Sequence, residues 1–448
     1  MTRAKNITGF IDSFGLNSAV LFSVIQKSWQ AGAGLLGLFL ISIYFPPEVQ
    51  GFYYTFASLV ALQSFVELGL CVVISSVSSH EWAKLKLAPD GSIQGDVRAL
   101  SRLVSLGRFV FKWYAVAALI FFLLVGAVGY WILGKTTSIA INWQGPWLMH
   151  IAFSSLLLWC MPFLSLLEGC DQIARVARFK VWQSLVSNIC FWVAIVTGGN
   201  LWAASALSSI SAIFCIYYLL VAQRDFFEPF LKPPLAERMD WKVEILPMQW
   251  RMGLQGLMNY FVFGLFTPVM FHYHGAVVAG QMGMSLQVIA AMQSIASIWF
   301  MTKAPRFGIL IAKREFRLLD AEWRKATILS LIVMLVGVAV LFSALYLSLE
   351  MHFEIASRVL SPSVLILLAG GALFSVANHS MGIYLRAHKR EVLTPIGIIS
   401  GAVMAVLVWQ FGKDFGALGA GVSYLFVFSC VTFPMVTYVW KRAKLDWH

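Results

Sequence analysis

The chain has 448 residues, 59% of them hydrophobic and only 12% charged, with a mean hydropathy of +0.78 and a formal net charge of +12. A water-soluble protein carries roughly twice that charged fraction, so composition excludes a soluble core and implies an all-α, polytopic membrane protein. The excess positive charge has no basic soluble domain to occupy, which excludes a nucleic-acid-binding reading.

Runs of about 17–25 apolar residues are long enough to cross a bilayer as helices. Twelve are expected, over 18–45, 52–78, 113–133, 147–168, 181–198, 201–222, 252–271, 276–301, 326–348, 360–385, 393–411 and 416–439. The first is too long for a signal-peptide core and has no small-residue cleavage site, so it is expected to stay as a signal anchor. Pro46-Pro47, Gly145-Pro146, Gly198-Gly199, Gly275 and Gly412 punctuate the joins. Cys71, Cys160, Cys170, Cys190, Cys215 and Cys430 show no paired spacing and are expected as free thiols. Trp143, Trp147, Trp202 and Trp440 lie near span ends, where an aromatic belt is expected.

The basic residues orient the chain. Of 33 Lys and Arg, 29 fall in the termini and alternate connections of one side. Only Lys135, Arg358 and Lys413 fall on the other, where they are expected to face water, and Lys27 lies inside the first span. The positive-inside rule then places both termini and the long connections 79–112, 223–251 and 302–325 in the cytoplasm. The middle connection, with Pro229, Pro233, Pro234 and Pro247, divides a six-helix lobe over 1–222 from another over 252–448, with 223–251 as a cytoplasmic linker. VQGFYYTFASL at 49–59 and VAGQMGMSLQV at 278–288 open equivalent spans, as do GGNLWAASAL at 198–207 and FGALGAGVSYL at 415–425. Parallel six-helix repeats suit a transporter with its site in a central cavity.

PPEVQGFYYTFASLVALQSFVELGL resembles the opening of polysaccharide and O-antigen flippases: a proline turn, a Gly-aromatic pair and a late acid-Leu-Gly. LSLLEGCDQIARVARFKVWQSLVSN at 164–188 is similar to their fourth-to-fifth-span turn. PMQWRMGLQGLMNYFVFGLFTPVMFHYHGAVVAGQMGMSL and WFMTKAPRFGILIAKRE resemble the matching second-half segments. The resemblance covers residues 20–440 and is to the multidrug/oligosaccharidyl-lipid/polysaccharide (MOP) exporter superfamily. It implies a flippase that carries an undecaprenyl-pyrophosphate-linked oligosaccharide from the cytoplasmic to the periplasmic leaflet of a bacterial inner membrane by alternating access. Its implied partners are that lipid-linked glycan, membrane lipid and a polysaccharide polymerase complex. No cofactor is implied, and a proton or sodium ion is left open as the coupling ion.

Such a substrate asks for cations against its pyrophosphate and for amides and aromatics against its sugars. In the first span Ser23, Lys27, Gln30 and Gly34 share a face, with Gln26 beside it. A charge at mid-helix costs roughly 2.5–3.5 kcal/mol to insert, so Lys27 either snorkels to the interface or meets a partner. Arg251, Gln255 and Asn259 stack at i, i+4, i+8, although Arg251 also reads as a positive-inside anchor. Ser375, Asn378, His379, Gly382 and Arg386 form another stripe, with His379 either a helix-packing group or a cavity group. Glu67, with Gln63 one turn before it, lies as far beyond Pro47 as Lys27 lies before Pro46, about 29 Å at 1.5 Å per residue. It either neutralises Lys27 or is a protonatable group that frees Lys27 for pyrophosphate. Lys27, Arg251 and Arg386 are expected to face the space between the halves.

His272 and His274 have no third ligand nearby, so no metal site is expected. GAG at 32–34 and GALGAG at 416–421 lack the strand and GK[ST] of a phosphate loop and read as small-residue helix packing. No nucleophile–base constellation or carboxylate pair marks the basic loops, so an enzyme is not expected. The competing reading is a small-molecule or multidrug cation-coupled antiporter of the same superfamily, whose first span would carry an acid where this one carries Lys27.

Overall fold

The computed structural model describes residues 18–67, 69–88, 92–135, 141–234, 237–351, 354–388 and 390–447. The side chains of residues 18–24, 27, 28, 31, 247, 248, 251, 252, 255, 259, 354 and 355 are outside that description. The described chain is helical almost throughout, the only sheet there being a two-stranded hairpin, so the protein is an all-α polytopic membrane protein. In hydrocarbon every backbone donor and acceptor must be satisfied within the segment, and the helix does this alone.

Helix α1 covers Ser18–Tyr44. Pro46, extended at ψ 151°, caps α2 (Pro47–Val60), where proline at the first helical position has no N–H to lose. The expected second span is not one rod. A turn at 61–62 ends α2, a short α3 follows over Gln63–Glu67, and α4 (Leu70–Trp82) starts after Gly69, whose φ of 65° is left-handed. Glu67 therefore does not lie on one unbroken helix counted from Pro47, and its expected distance of about 29 Å from that turn does not hold.

The described residues of the connection 79–112 form the end of α4, a hairpin of β1 (Leu85–Leu87) with β2 (Ile93–Gly95), and the start of α5 (Val97–Gly134). Then come α6 (Gln144–Gly169), α7 (Ile173–Val196), α8 (Trp202–Tyr217) and the short α9 (Arg224–Leu231). Leu246–Phe263 forms α10, and α11 runs from Phe266 to Met301. The remaining helices are α12 (Ala304–Ala312), α13 (Phe316–Glu350), α14 (Pro362–Ala387), α15 (Thr394–Phe426) and α16 (Phe433–Trp447). Two of them are interrupted, α11 at Gly275 (φ 86°) and α15 at Gly416 (φ 61°). Among the described residues eight helical stretches are long and apolar enough to cross a membrane, or nine with α2–α4 as one broken span. When α1 is added and the two interrupted helices are divided at their glycines, the helices follow the twelve expected segments in order.

Two compact units result. The first comprises Met1–Tyr44, Leu62–Trp131 and Ala140–Gly256; the second comprises Phe45–Ala61, Ile132–Ile139 and Leu257–His448. Residues 45–61 thus pack with the second unit although they precede most of the first in sequence. Their attachment is the α2–α11 crossing. A Cβ on Gly51 would stand 1.9 Å from the Ala276 carbonyl oxygen, and one on Gly280 would stand 2.9 Å from the Gly51 nitrogen. Gly283 receives the Tyr54 side chain in the same way. Gly51 and Gly280 are the third residues of the two matched segments, and Tyr54 and Gly283 are the sixth, so equivalent positions pack on one another. Gln50, 1% exposed, seals the joint by donating from Nε2 to the Gly280 and Arg358 carbonyls, each at 3.0 Å.

That joint corrects one expectation. Arg358 does not face water: it is 6% exposed, because the turn Glu354–Arg358 tucks its last residue against Gln50. Lys135 and Lys413 are exposed. The aromatic belt is corrected in part. Trp202 is 48% exposed, but Trp143 and Trp147 are buried, Trp147 donating to the Gly126 carbonyl and lying over Gly129. The small residues also divide. Gly419 and Gly421 pack closely, whereas Gly32 and Gly34 face open space. All six cysteines are free thiols.

Candidate functional site

In the second unit, α11 and α14 enclose a cavity of about 560 Å³. Gln293, Ser294 and Ser297 enter it from α11 and Ser375 and His379 from α14, with Phe263, Val376 and Met301 as apolar wall. The i, i+4 spacing of Ser375 and His379 sets both on one face of α14. His379 is held edge-on to Phe300, ring centres 5.2 Å apart. Gln293 is fixed from two sides, through a hydrogen bond to the Tyr424 hydroxyl and a long one, 3.5 Å, from its amide to the Ala372 carbonyl. The lining described therefore offers an amide, three hydroxyls and an imidazole, with aromatic and thioether surface beside them and no carboxylate. Neutral donors and acceptors against an apolar floor match sugar hydroxyls and sugar faces better than they match a bare cation.

The stripe expected on α14 is split by the structure. Ser375 and His379 line the cavity, but Asn378 is buried and turned to the Phe428 carbonyl, in the wide helical turn Val427–Thr432. Such a turn displaces a carbonyl from its usual partner, so Asn378 has a packing role. Arg386, two turns past His379, is exposed and folds back over Gly382, donating to its carbonyl at 3.3 Å.

In the first unit Glu67 is half-buried at the last position of α3. Beyond the break, Cys71 on the first turn of α4 shares a hydrogen bond with Glu67. Cys71 is also tied to Ser165 of α6 and, at 3.3 Å, to the Tyr114 hydroxyl of α5. Glu67 thus stands beside a buried group of thiol and hydroxyls, at a helix interruption of the kind that membrane proteins place beside cavities. Gln63, one turn earlier, is also half-buried, and Gln30 on α1 is exposed.

The side chains of Lys27, Arg251, Gln255 and Asn259, and with them the expected Lys27–Glu67 pair, lie outside the described residues. The reading of the residues missed the α11 contribution altogether. Its signal was present in QSIAS at 293–297, a polar group every turn in an apolar helix. The Cys71–Tyr114–Ser165 chain was not legible, because its members come from three helices. Among the described residues no group of three or more His, Cys, Asp and Glu gathers as metal ligands do.

No family model matches the chain, and no curated protein matches it. Solved structures do. Over 96% of this chain and 90% of the other, it is similar to the lipid II flippase MurJ in an inward closed conformation, with a TM-score of 0.64 and 11% identity. The MATE multidrug transporter DinF-BH matches over 96% and 95% of the two chains, at a TM-score of 0.59 and 12% identity. An inward-facing MATE family transporter of the MOP superfamily matches over 96% and 98%, at 0.55 and 14%. At these identities the likeness is one of fold: the chain has the fold of MOP-superfamily transporters.

Proposed function

We propose that the protein is a flippase that moves an undecaprenyl-pyrophosphate-linked oligosaccharide across the cytoplasmic membrane of a bacterium by alternating access, as one step in building a surface polysaccharide such as O-antigen. The observation that carries the reading is the uncharged cavity of Gln293, Ser294, Ser297, Ser375 and His379, set in a fold shared with a lipid II flippase. The cavity takes the sugars. Arg386, about 10 Å further along α14 at 1.5 Å per residue, takes negative charge, and Lys27 and Arg251 of the first unit are candidate cations for pyrophosphate. Gln30, Gln63, Gln255 and Asn259 supply further amides to the hydrated path, and Glu67 modulates Lys27. The orientation is that of the positive-inside rule, with both termini cytoplasmic, and a polysaccharide polymerase is the natural downstream partner.

A second reading draws on Glu67. A half-buried carboxyl at a helix break is a protonatable group, and a small-molecule antiporter coupled to protons would use one. The two separate by ligand. Purified protein is titrated with an undecaprenyl-pyrophosphate-linked oligosaccharide, with undecaprenyl pyrophosphate alone and with a cationic dye. Binding that is tighter with the sugars attached, and weakened by His379→Leu, supports the flippase. Tight dye binding abolished by Glu67→Gln, with no preference for the glycolipid, overturns it.

A further inference from the structure

Away from that cavity, the first unit carries a second pocket, of about 340 Å³, where the start of α5 meets the segment after α9. Arg108 and Lys112 enter it from α5 and Arg238 from the connection, while Pro233, Pro234 and Trp241 wall it. Its described lining includes no carboxylate. One turn below, the situation is the opposite: Arg102 is met by Glu81 at 2.9 Å, by Glu237 at 3.0 Å and by Glu244. The pocket is built and not a loose patch. Arg108 donates to the Leu231 carbonyl at 2.9 Å, the Met239 amide donates to Ser105 Oγ at 3.0 Å, and Trp241 packs on Phe109 with ring centres 4.3 Å apart.

Its position on α5 says what kind of anion it faces. Phe109, Trp113, Val116, Ile120, Leu123 and Leu124 are each 43–62% exposed and form an apolar stripe that climbs the helix from the pocket. From Lys112 to Leu124 the stripe rises about 18 Å at 1.5 Å per residue, close to half of the roughly 30 Å hydrocarbon core. Three cations at the foot of a lipid-facing stripe one leaflet tall are complementary to a phosphate with acyl chains attached. We infer that this pocket is a binding site for the phosphate headgroup of an anionic membrane phospholipid, resident on the side of the basic loops and separate from the transport cavity. Bound there, the lipid bridges α5 to the connection that precedes α10 and holds that connection against the membrane. Basic residues near an anionic leaflet each gain about 1 kcal/mol, so neutralising two of them costs about ten- to thirtyfold in affinity.

Native mass spectrometry of the full chain in detergent tests this, with phosphatidylglycerol, phosphatidylcholine and inorganic phosphate as the three probes. The expected result is retained phosphatidylglycerol, little phosphatidylcholine, and a ten- to thirtyfold loss in a Lys112→Gln, Arg238→Gln double variant. A Lys84→Gln, Lys86→Gln variant on the exposed hairpin has the same net charge and keeps wild-type binding. A Lys112→Arg, Arg238→Lys exchange keeps it too, which separates lost charge from a damaged fold. Equal loss in the hairpin variant, equal binding of phosphatidylcholine, or displacement of the lipid by millimolar inorganic phosphate would each overturn the proposal.

Discussion

Beyond Gly275, helix α11 is packed in two different ways along its length. Around Gly280 and Gly283 it has no side chains to spare: Gly51 and Tyr54 of α2 press on its backbone, and Gln50 takes up a carbonyl that the crossing exposes. About 20 Å further on, at 1.5 Å per residue, Gln293, Ser294 and Ser297 keep α14 apart and leave room for some 560 Å³ of cavity. The same helix is thus an anchor at one end and a cavity wall at the other. Small residues let backbones meet where lipid offers no hydrophobic drive, and polar residues hold open the space that a polar substrate requires.

The largest effect should come from filling the anchor. Gly51→Val places a branched side chain where even a Cβ would lie 1.9 Å from the Ala276 carbonyl oxygen. Relief requires moving backbone, not a side chain, so we expect destabilisation at or above the usual 1–3 kcal/mol of overpacking and little folded protein in the membrane. Ser294→Val, on the cavity wall, should leave the free energy of unfolding in detergent within about 0.5 kcal/mol of the parent. Equal tolerance of both substitutions would erase the distinction between the two ends.

Next in size is the loss of cavity chemistry. Gln293→Leu combined with His379→Leu removes two hydrogen-bonding groups from the wall. At about 0.5–1.5 kcal/mol for each neutral hydrogen bond, glycolipid binding should weaken roughly tenfold or more while abundance stays near wild type. A fall in abundance that matches the fall in binding would make Gln293 a structural residue, a role its bond to Tyr424 also allows.

How much of this contrast was legible in the residues follows from its physics. Span order and the matched segments around Gly51 and Gly280 are one-dimensional patterns, and the structure follows them. That the third residues of those segments touch each other is a property of the crossing and has no trace in either segment alone. Span 2 read as one helix because TFASLVALQSFVELGL is apolar nearly throughout, yet Gly69 and the turn at 61–62 divide it. Arg358 read as a water-facing loop charge because its neighbours in sequence are loop residues, while its neighbours in space are Gln50 and α11. His379 stands out in the sequence as part of a polar stripe and lines the cavity, whereas Gln293, a single glutamine among serines and alanines, looks like ordinary helix packing.

A smaller effect should separate charge from shape at Glu67. Glu67→Gln keeps the hydrogen bond to Cys71 open to an amide, so abundance and unfolding midpoint should hold. Glycan output at the cell surface should drop, because an amide cannot exchange a proton. A folding defect would instead mark the carboxylate as a static structural partner, and unchanged output at unchanged abundance would remove Glu67 from the mechanism.

The smallest effect lies at the far end of α14. Burial lowers the pKa of His388 below its usual 6.5, with Arg390 adding to the shift and the Tyr384 carbonyl opposing it. A histidine whose folded pKa is depressed contributes stability that is present above about pH 6.5 and lost as pH falls through the folded value. Mild acidification should therefore loosen the end of α14 and the contact with Trp447, a change that protease sensitivity of the C-terminal helix would report. His388→Gln should flatten that pH dependence and leave the glycine crossing untouched; an unaltered profile would place the titrating group elsewhere.

The polar wall is proposed to serve a lipid-linked sugar. The most direct measurement of that role reconstitutes the purified protein in liposomes holding a fluorescent undecaprenyl-pyrophosphate-linked oligosaccharide and follows how fast the label becomes accessible to a membrane-impermeant quencher. Wild-type protein is expected to speed the exposure of the glycolipid, the Gln293→Leu, His379→Leu variant to slow it about tenfold or more, and a cationic dye gradient across the same vesicles to be unaffected. Rapid dye movement with no glycolipid exposure, or glycolipid exposure indifferent to both substitutions, would contradict the proposed role.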